Sequence, residues 1–249
     1  MRLTRLLCFT FGVSLALVPL APLPAQAAIA FDAASNSAHQ TTSSYSWSHT
    51  VAANANFIAC GVGINDAGTA PTVTSITYAS VAMTKASGTE GTGSGLRTVI
   101  YYLVAPATGS NTVAVTLSGA PTSGSATGCW SFSGVDQSSP LDIQNTAGGN
   151  STSCSVTLTG TATGSYYVQT AANPGSTFTV GDSATQDWNN LRINTYVEAG
   201  AHKAAGGNVT PSWSVGQGGN LWRISAMSIT PASAAAAAKR RVLATFRRE

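Results

Sequence analysis

The chain has 249 residues, 43% of them hydrophobic and 8% charged, with a formal net charge of +3 and an isoelectric point near 8.8. The basic excess belongs to one end: Lys239, Arg240, Arg241, Arg247 and Arg248 crowd the last eleven residues, whereas residues 28–238 hold five basic and eight acidic side chains, a net of −3. The body therefore lacks the basic stripe of a nucleic-acid-binding domain, and that class of partner is excluded.

At the start, Arg2 and Arg5 precede an apolar run from Leu6 to Leu20, and Ala25 and Ala27 supply the small residues of a cleavage site. Residues 1–27 read as a secretory signal peptide. The run is shorter than the roughly 20 residues needed to span a bilayer, so the mature chain is expected to be secreted or held at the cell surface, with no transmembrane segment. The remaining 222 residues suffice for one domain, expected over 28–230, that buries roughly 70% of its unfolded surface without a structural metal. Residues 231–249, "PASAAAAAKRRVLATFRRE", form an Ala-rich, basic tail, read as a solvated end or as a weak contact for an anionic surface.

From Phe57 onward the dominant pattern is period two, the mark of half-buried strands. Ile58, Cys60, Val62 and Ile64 share one face; so do Val113, Val115 and Leu117, and again Cys154, Val156 and Leu158. Ser, Thr, Gly and Asn fill the alternate positions, as expected of a pleated surface open to water. "LRTVIYYLVA", apolar on both faces, reads as a central strand and "NLWRISAMSIT" as the closing one. Roughly a dozen short strands separated by Gly, Pro, Asn and Ser predict an all-β fold: a two-sheet antiparallel β-sandwich, jelly-roll-like. In "GCWSFSGVDQSSPLDIQ" Trp130 and Phe132 point to the core, Asp136 and Pro140 build a turn, and a calcium loop through Asp136 and Asp142 is the weaker alternative.

"VTSITYASVAMTKA", "LRTVIYYLVAPATGSNTVAVTLSG" and above all "CWSFSGVDQSSPLD" resemble a widespread group of secreted bacterial and phage-associated β-sandwich domains of uncharacterised function. The likeness covers most of residues 31–230. It implies the sandwich and carries over no functional residue. Members usually have Gly-Gly at the hairpin where this chain has Ala79 and Ser80, so a turn of another type is expected there, left-handed angles being costly for alanine.

Three cysteines follow the signal peptide. Cys129 and Cys154 bracket the Asp136 loop and are expected to close it, a bridge worth roughly 3 kcal/mol; pairing of Cys60 with Cys154 across the sheets is the alternative. No Gly-x-Ser-x-Gly elbow, His-Glu-x-x-His pair, Walker loop or dinucleotide fingerprint is present, and no cofactor or metal is expected. A hydrolase using Asp182, Asp187 and Glu198 is the third-ranked reading. The foremost candidate is "GDSATQDWNNLRINTYVEAG", Gly181 to Gly200, which loses alternation and reads as a loop. Trp188 amid Asp187, Asn189, Asn190 and Arg192 has the composition of a sugar-binding platform, with Trp213 as a second one. The expected function is an extracellular module recognising a glycan or cell-surface polymer; the alternative is a structural or adhesive surface protein with no small ligand.

Overall fold

A computed structural model describes residues 28–192, 196–216 and 221–233. Residues 1–27, expected to be a signal peptide, and residues 234–249 of the expected tail lie outside the described residues. The fold is all-β and sandwich-like, with antiparallel pairing throughout, and no described helix is long and apolar enough to cross a membrane.

The first half supplies β1 (Ala30–Asn36), β2 (Ser44–Val51), β3 (Phe57–Asn65), β4 (Val73–Tyr78), β5 (Val81–Ala82), β6 (Thr84–Lys85), β7 (Gly91–Gly93), β8 (Leu96–Val104), β9 (Gly109–Leu117) and β10 (Gly124–Ser133). The second supplies β11 (Leu141–Asn150), β12 (Ser153–Ser155), β13 (Leu158–Thr161), β14 (Tyr166–Asn173), β15 (Phe178–Val180), β16 (Thr185–Arg192), β17 (Tyr196–Ala204), β18 (Gly207–Val209), β19 (Ser212–Val215) and β20 (Leu221–Ile229). One large sheet runs β1-β10-β3-β8-β6, with β7 also on β8; the other runs β11-β20-β14-β17-β16. Taking each sheet's own strands in chain order, the spatial order is the same in both: first, last, second, second-to-last, third. Smaller sheets cover the outer faces, β2-β9-β4-β5 on the first half and β12-β19-β15 with β13-β18 on the second.

The two large sheets meet face to face, β1 on β16, β10 on β17, β3 on β14, β8 on β20 and β7 on β11. That succession is what a two-fold axis between β3 and β14 generates. Three apolar layers result. Ile58, Cys60, Val62 and Ile64 pack outward against Val113, Val115 and Leu117; Cys154, Val156, Leu158, Trp213 and Trp222 fill the opposite outer layer; Phe57, Ile100, Trp130, Phe132, Trp188 and Met227 fill the seam between the large sheets. The period-two strands thus hold their expected faces, but the layering exceeds two sheets, and in the middle strands the Ser/Thr/Gly positions expected to meet water are buried. Thr98 and Ser225 share a hydrogen bond of 2.7 Å across the seam, and Gly61 lets β3 approach Thr170 more closely than any Cβ would permit. Short polar side chains pack against an opposing sheet without penalty once hydrogen-bonded.

Two local expectations separate. Asp136 turns the chain by accepting from the backbone N–H groups of Ser138 and Ser139, as the sequence predicts. The hairpin between β4 and β5 departs from its expectation: Ala79 and Ser80 have φ of 49° and 65° and Tyr78 pairs with Val81, so a two-residue turn with both central residues left-handed closes it despite the side chains. Replacing Ala79 and Ser80 together by glycine is expected to stabilise the protein by about 1 kcal/mol, relief of left-handed strain outweighing the added unfolded-state entropy. A rise in the urea midpoint with unchanged slope would show it; a fall would mean that the turn is unstrained.

The cysteines also correct the expected pairing. Cys60 and Cys129 are bonded, 69 residues apart, and stand directly opposite each other on β3 and β10. Cys154 is free and buried in the outer layer of the second half. Strand adjacency decides this, and loop proximity in sequence does not.

Candidate functional site

The Trp188 segment is strand β16, not a loop. A bulge between Gln186 and Trp188 interrupts the period-two pattern and hides the strand from its sequence. Trp188 is 5% exposed. Its ring is sandwiched against Gly128 of β10 and Gly200 of β17, where any Cβ would strike the indole, and it lies 4.4 Å from the Trp130 ring, centroid to centroid. Burial rules it out as a sugar platform. Trp213 is 1% exposed and packs on Phe178 in a different layer, so it offers no second platform either.

The polar companions of Trp188 serve the seam. Trp130 Nε1 donates to Asp187 Oδ2 at 2.6 Å, and the same carboxylate pairs with His202 Nδ1 at 2.8 Å. Asn189 donates to the Phe178 carbonyl at 2.9 Å and Asn190 to Glu198 at 3.3 Å. Arg192 ends β16; its side chain lies outside the described residues. The three carboxylates weighed for hydrolysis do not share a cleft. Asp182 accepts from Tyr167 and Gln169, whose neighbours belong to the outer layer, while Asp187 and Glu198 each receive a tryptophan N–H within the seam.

Glu198, His202 and Phe31 were not readable as a group. Phe31, 37% exposed, stacks on the His202 ring at 4.0 Å and 10°. Asp187 fixes that ring through Nδ1, and among the described residues no hydroxyl or thiol shares a hydrogen bond with it, so the pair lacks the nucleophile of a catalytic triad.

Glu198 is fully buried. It accepts from Trp188 Nε1 at 2.7 Å and meets Thr170 Oγ1 at 2.8 Å, yet burial outweighs these bonds and pushes its carboxyl from 4.5 up to about 8. The folded state therefore holds a proton that the unfolded chain releases, and stability falls as pH rises from about 4.5 to about 8, then levels. At pH 7 this penalty is on the order of 3 kcal/mol. Glu198→Gln can accept from Trp188 and Asn190 through its amide oxygen and donate to Thr170 through its nitrogen. It is expected to match the wild type near pH 4 and to exceed it in urea midpoint at pH 8. A variant less stable at every pH would mean that the buried group is a needed carboxylate.

An accessible concave surface lies at the opposite edge of the seam, where β7 of the first half meets β11 and β20 of the second. A cavity of about 400 Å³ is lined by Glu90, Gly91, Thr92, Thr146, Gly148 and Arg223. Beyond Thr92 a second hollow of about 270 Å³ continues past Gly93, Ser94 and Gly95 to Arg97. Glu90 is bound on one oxygen by Lys85 at 2.6 Å and on the other by Arg97; the Lys85 hydrogen bond, the largest influence, keeps its carboxyl below the ordinary value. Hydroxyls on strands from both large sheets, Thr92 and Thr146, thus border an open, polar groove. Comparison with protein-family models, with curated proteins and with solved structures finds no match to this chain.

Proposed function

We propose that the protein is an extracellular binding module that recognises a glycan or cell-surface polymer in the groove between β7 and β11/β20. The observation that carries this reading is the groove itself: open, bordered by Thr92, Thr146, Glu90 and Arg223, and built on paired strands, so that polar groups are held in place without loop ordering. An open trough suits a chain that runs through it better than a small molecule that must be enclosed. The Cys60–Cys129 bond and the signal-like residues 1–27 support export to an oxidising compartment.

The test is retention of the secreted protein on insoluble cellulose, chitin, xylan, pectin and peptidoglycan, beside a Thr92→Trp variant that fills the trough from an exposed position. Saturable retention of the wild type and its loss in the variant, at unchanged melting temperature, is the expected result. Failure to bind any polymer would leave the structural surface protein as the better reading.

A further inference from the structure

Resting on the groove as a polymer site, we propose that its ligand is an acidic glycan and that Arg223 receives the ligand's carboxylate. Cations are scarce in the body of the chain: Lys85, Arg97, Arg192, Lys203 and Arg223 are all there are between residues 28 and 238. Two of the five, Arg97 and Arg223, line this groove, and a third, Lys85, is bonded to Glu90 on its wall. Against them are Glu90 and, behind Gly68 of the second hollow, Asp66. Both oxygens of Glu90 are engaged by Lys85 and Arg97, and those of Asp66 by the backbone N–H groups of Gly68 and Thr122. Arg223 has no carboxylate within ion-pair distance among the described residues. In a body of net negative charge, this is a local surplus of positive charge without a partner.

Its placement is specific. The Arg223 side chain crosses from β20 toward β7 and lies over Gly148 and Gly93; a Cβ at either would occupy the space of the guanidinium. Nη1 donates to the Trp222 carbonyl at 3.0 Å, which anchors the fork of a residue that lines the cavity. A planar guanidinium so held suits a planar carboxylate, which it can bind through two parallel hydrogen bonds. Among the described residues no aromatic ring lines the 400 Å³ cavity, so there charge takes the part that an indole plays in a neutral-sugar site. Thr92 and Thr146 then provide hydroxyl partners for the sugar ring.

The experiment measures affinity of the secreted protein for polygalacturonate, for its methyl ester, for a neutral glucan and for a phosphodiester-linked glycan, in low and high salt. The expected result is binding to polygalacturonate that weakens with salt and is lost on esterification. Arg223→Ala should weaken it by about tenfold or more, the scale of a lost hydrogen-bonded charge contact. Gly148→Ala, which displaces the guanidinium but keeps its charge, should give a smaller loss, and melting temperatures report whether each variant is folded. Equal affinity for acid and ester, or an Arg223→Ala variant that binds as well as the wild type, would overturn the carboxylate assignment while the groove remains a glycan site. Preference for the phosphodiester polymer would overturn it in favour of a phosphate ligand. Absence of binding to every polymer would defeat the proposed function as well.

Discussion

Trp188→Ala is expected to destabilise the protein by about 4 kcal/mol, the range for removing a large aromatic side chain from a core, and to lower the melting temperature by roughly 10 °C for a domain of this size. The loss has three parts. The indole fills the space that Gly128 and Gly200 leave, so its removal opens a cavity between two sheets whose backbones cannot collapse inward. Its contact with Trp130 disappears. Its N–H is one of the donors to Glu198, and that carboxyl is left buried with poorer company. Trp188→Phe should fall between, keeping most of the volume and losing the hydrogen bond. A surface platform would behave in the opposite way, losing ligand while melting at the wild-type temperature, so calorimetry on the two variants separates the cases.

Removing the Cys60–Cys129 bond comes next in size. A closed loop of 69 residues corresponds to about 4 kcal/mol in the chain-entropy account, and both sulfurs are fully buried, so the pair of cysteines is not free to be replaced by polar residues without further cost. Cys60→Ala with Cys129→Ala is the cleaner variant and should lower the urea midpoint by the corresponding amount. Among residues 28–249, alkylation without reduction should label one cysteine, Cys154, and only after unfolding, since the thiol is buried and burial raises its pKa well above the ordinary value. Peptide mapping should recover Cys60 linked to Cys129. Recovery of Cys129 linked to Cys154 would contradict the pairing of β3 with β10.

Much of this fold is legible in the sequence because alternation reports the two faces of a strand directly. The faces assigned to Ile58 through Ile64, to Val113 through Leu117 and to Trp130 with Phe132 are those observed. Alternation does not report what lies over each face. Thr98, Thr170 and Ser225 look like solvent-facing residues because they are short and polar, yet all three are buried, each with a hydrogen-bond partner in or across the seam. The Trp188 segment failed for a different reason. One bulged residue displaced the register, and a tryptophan among amides has the same composition whether it meets a sugar or a buried glutamate. The groove was least accessible to such reading, since Glu90, Thr146 and Arg223 are brought together by the stacking of two sheets and share no motif.

The repeated strand order has a consequence for how this molecule tolerates change. Two sheets of like strand order that close on each other across an approximate two-fold give the seam the geometry of a two-fold dimer interface, carried here on one polypeptide. The two halves differ in sequence, so the two sides of the seam differ: the β10/β17 side holds tryptophans, a histidine and buried acids, while the β7/β11 side holds glycine, threonine and arginine around open space. A true homodimer would repeat either edge twice. Here one edge is a clasp and the other an opening, an asymmetry that two halves of different sequence permit.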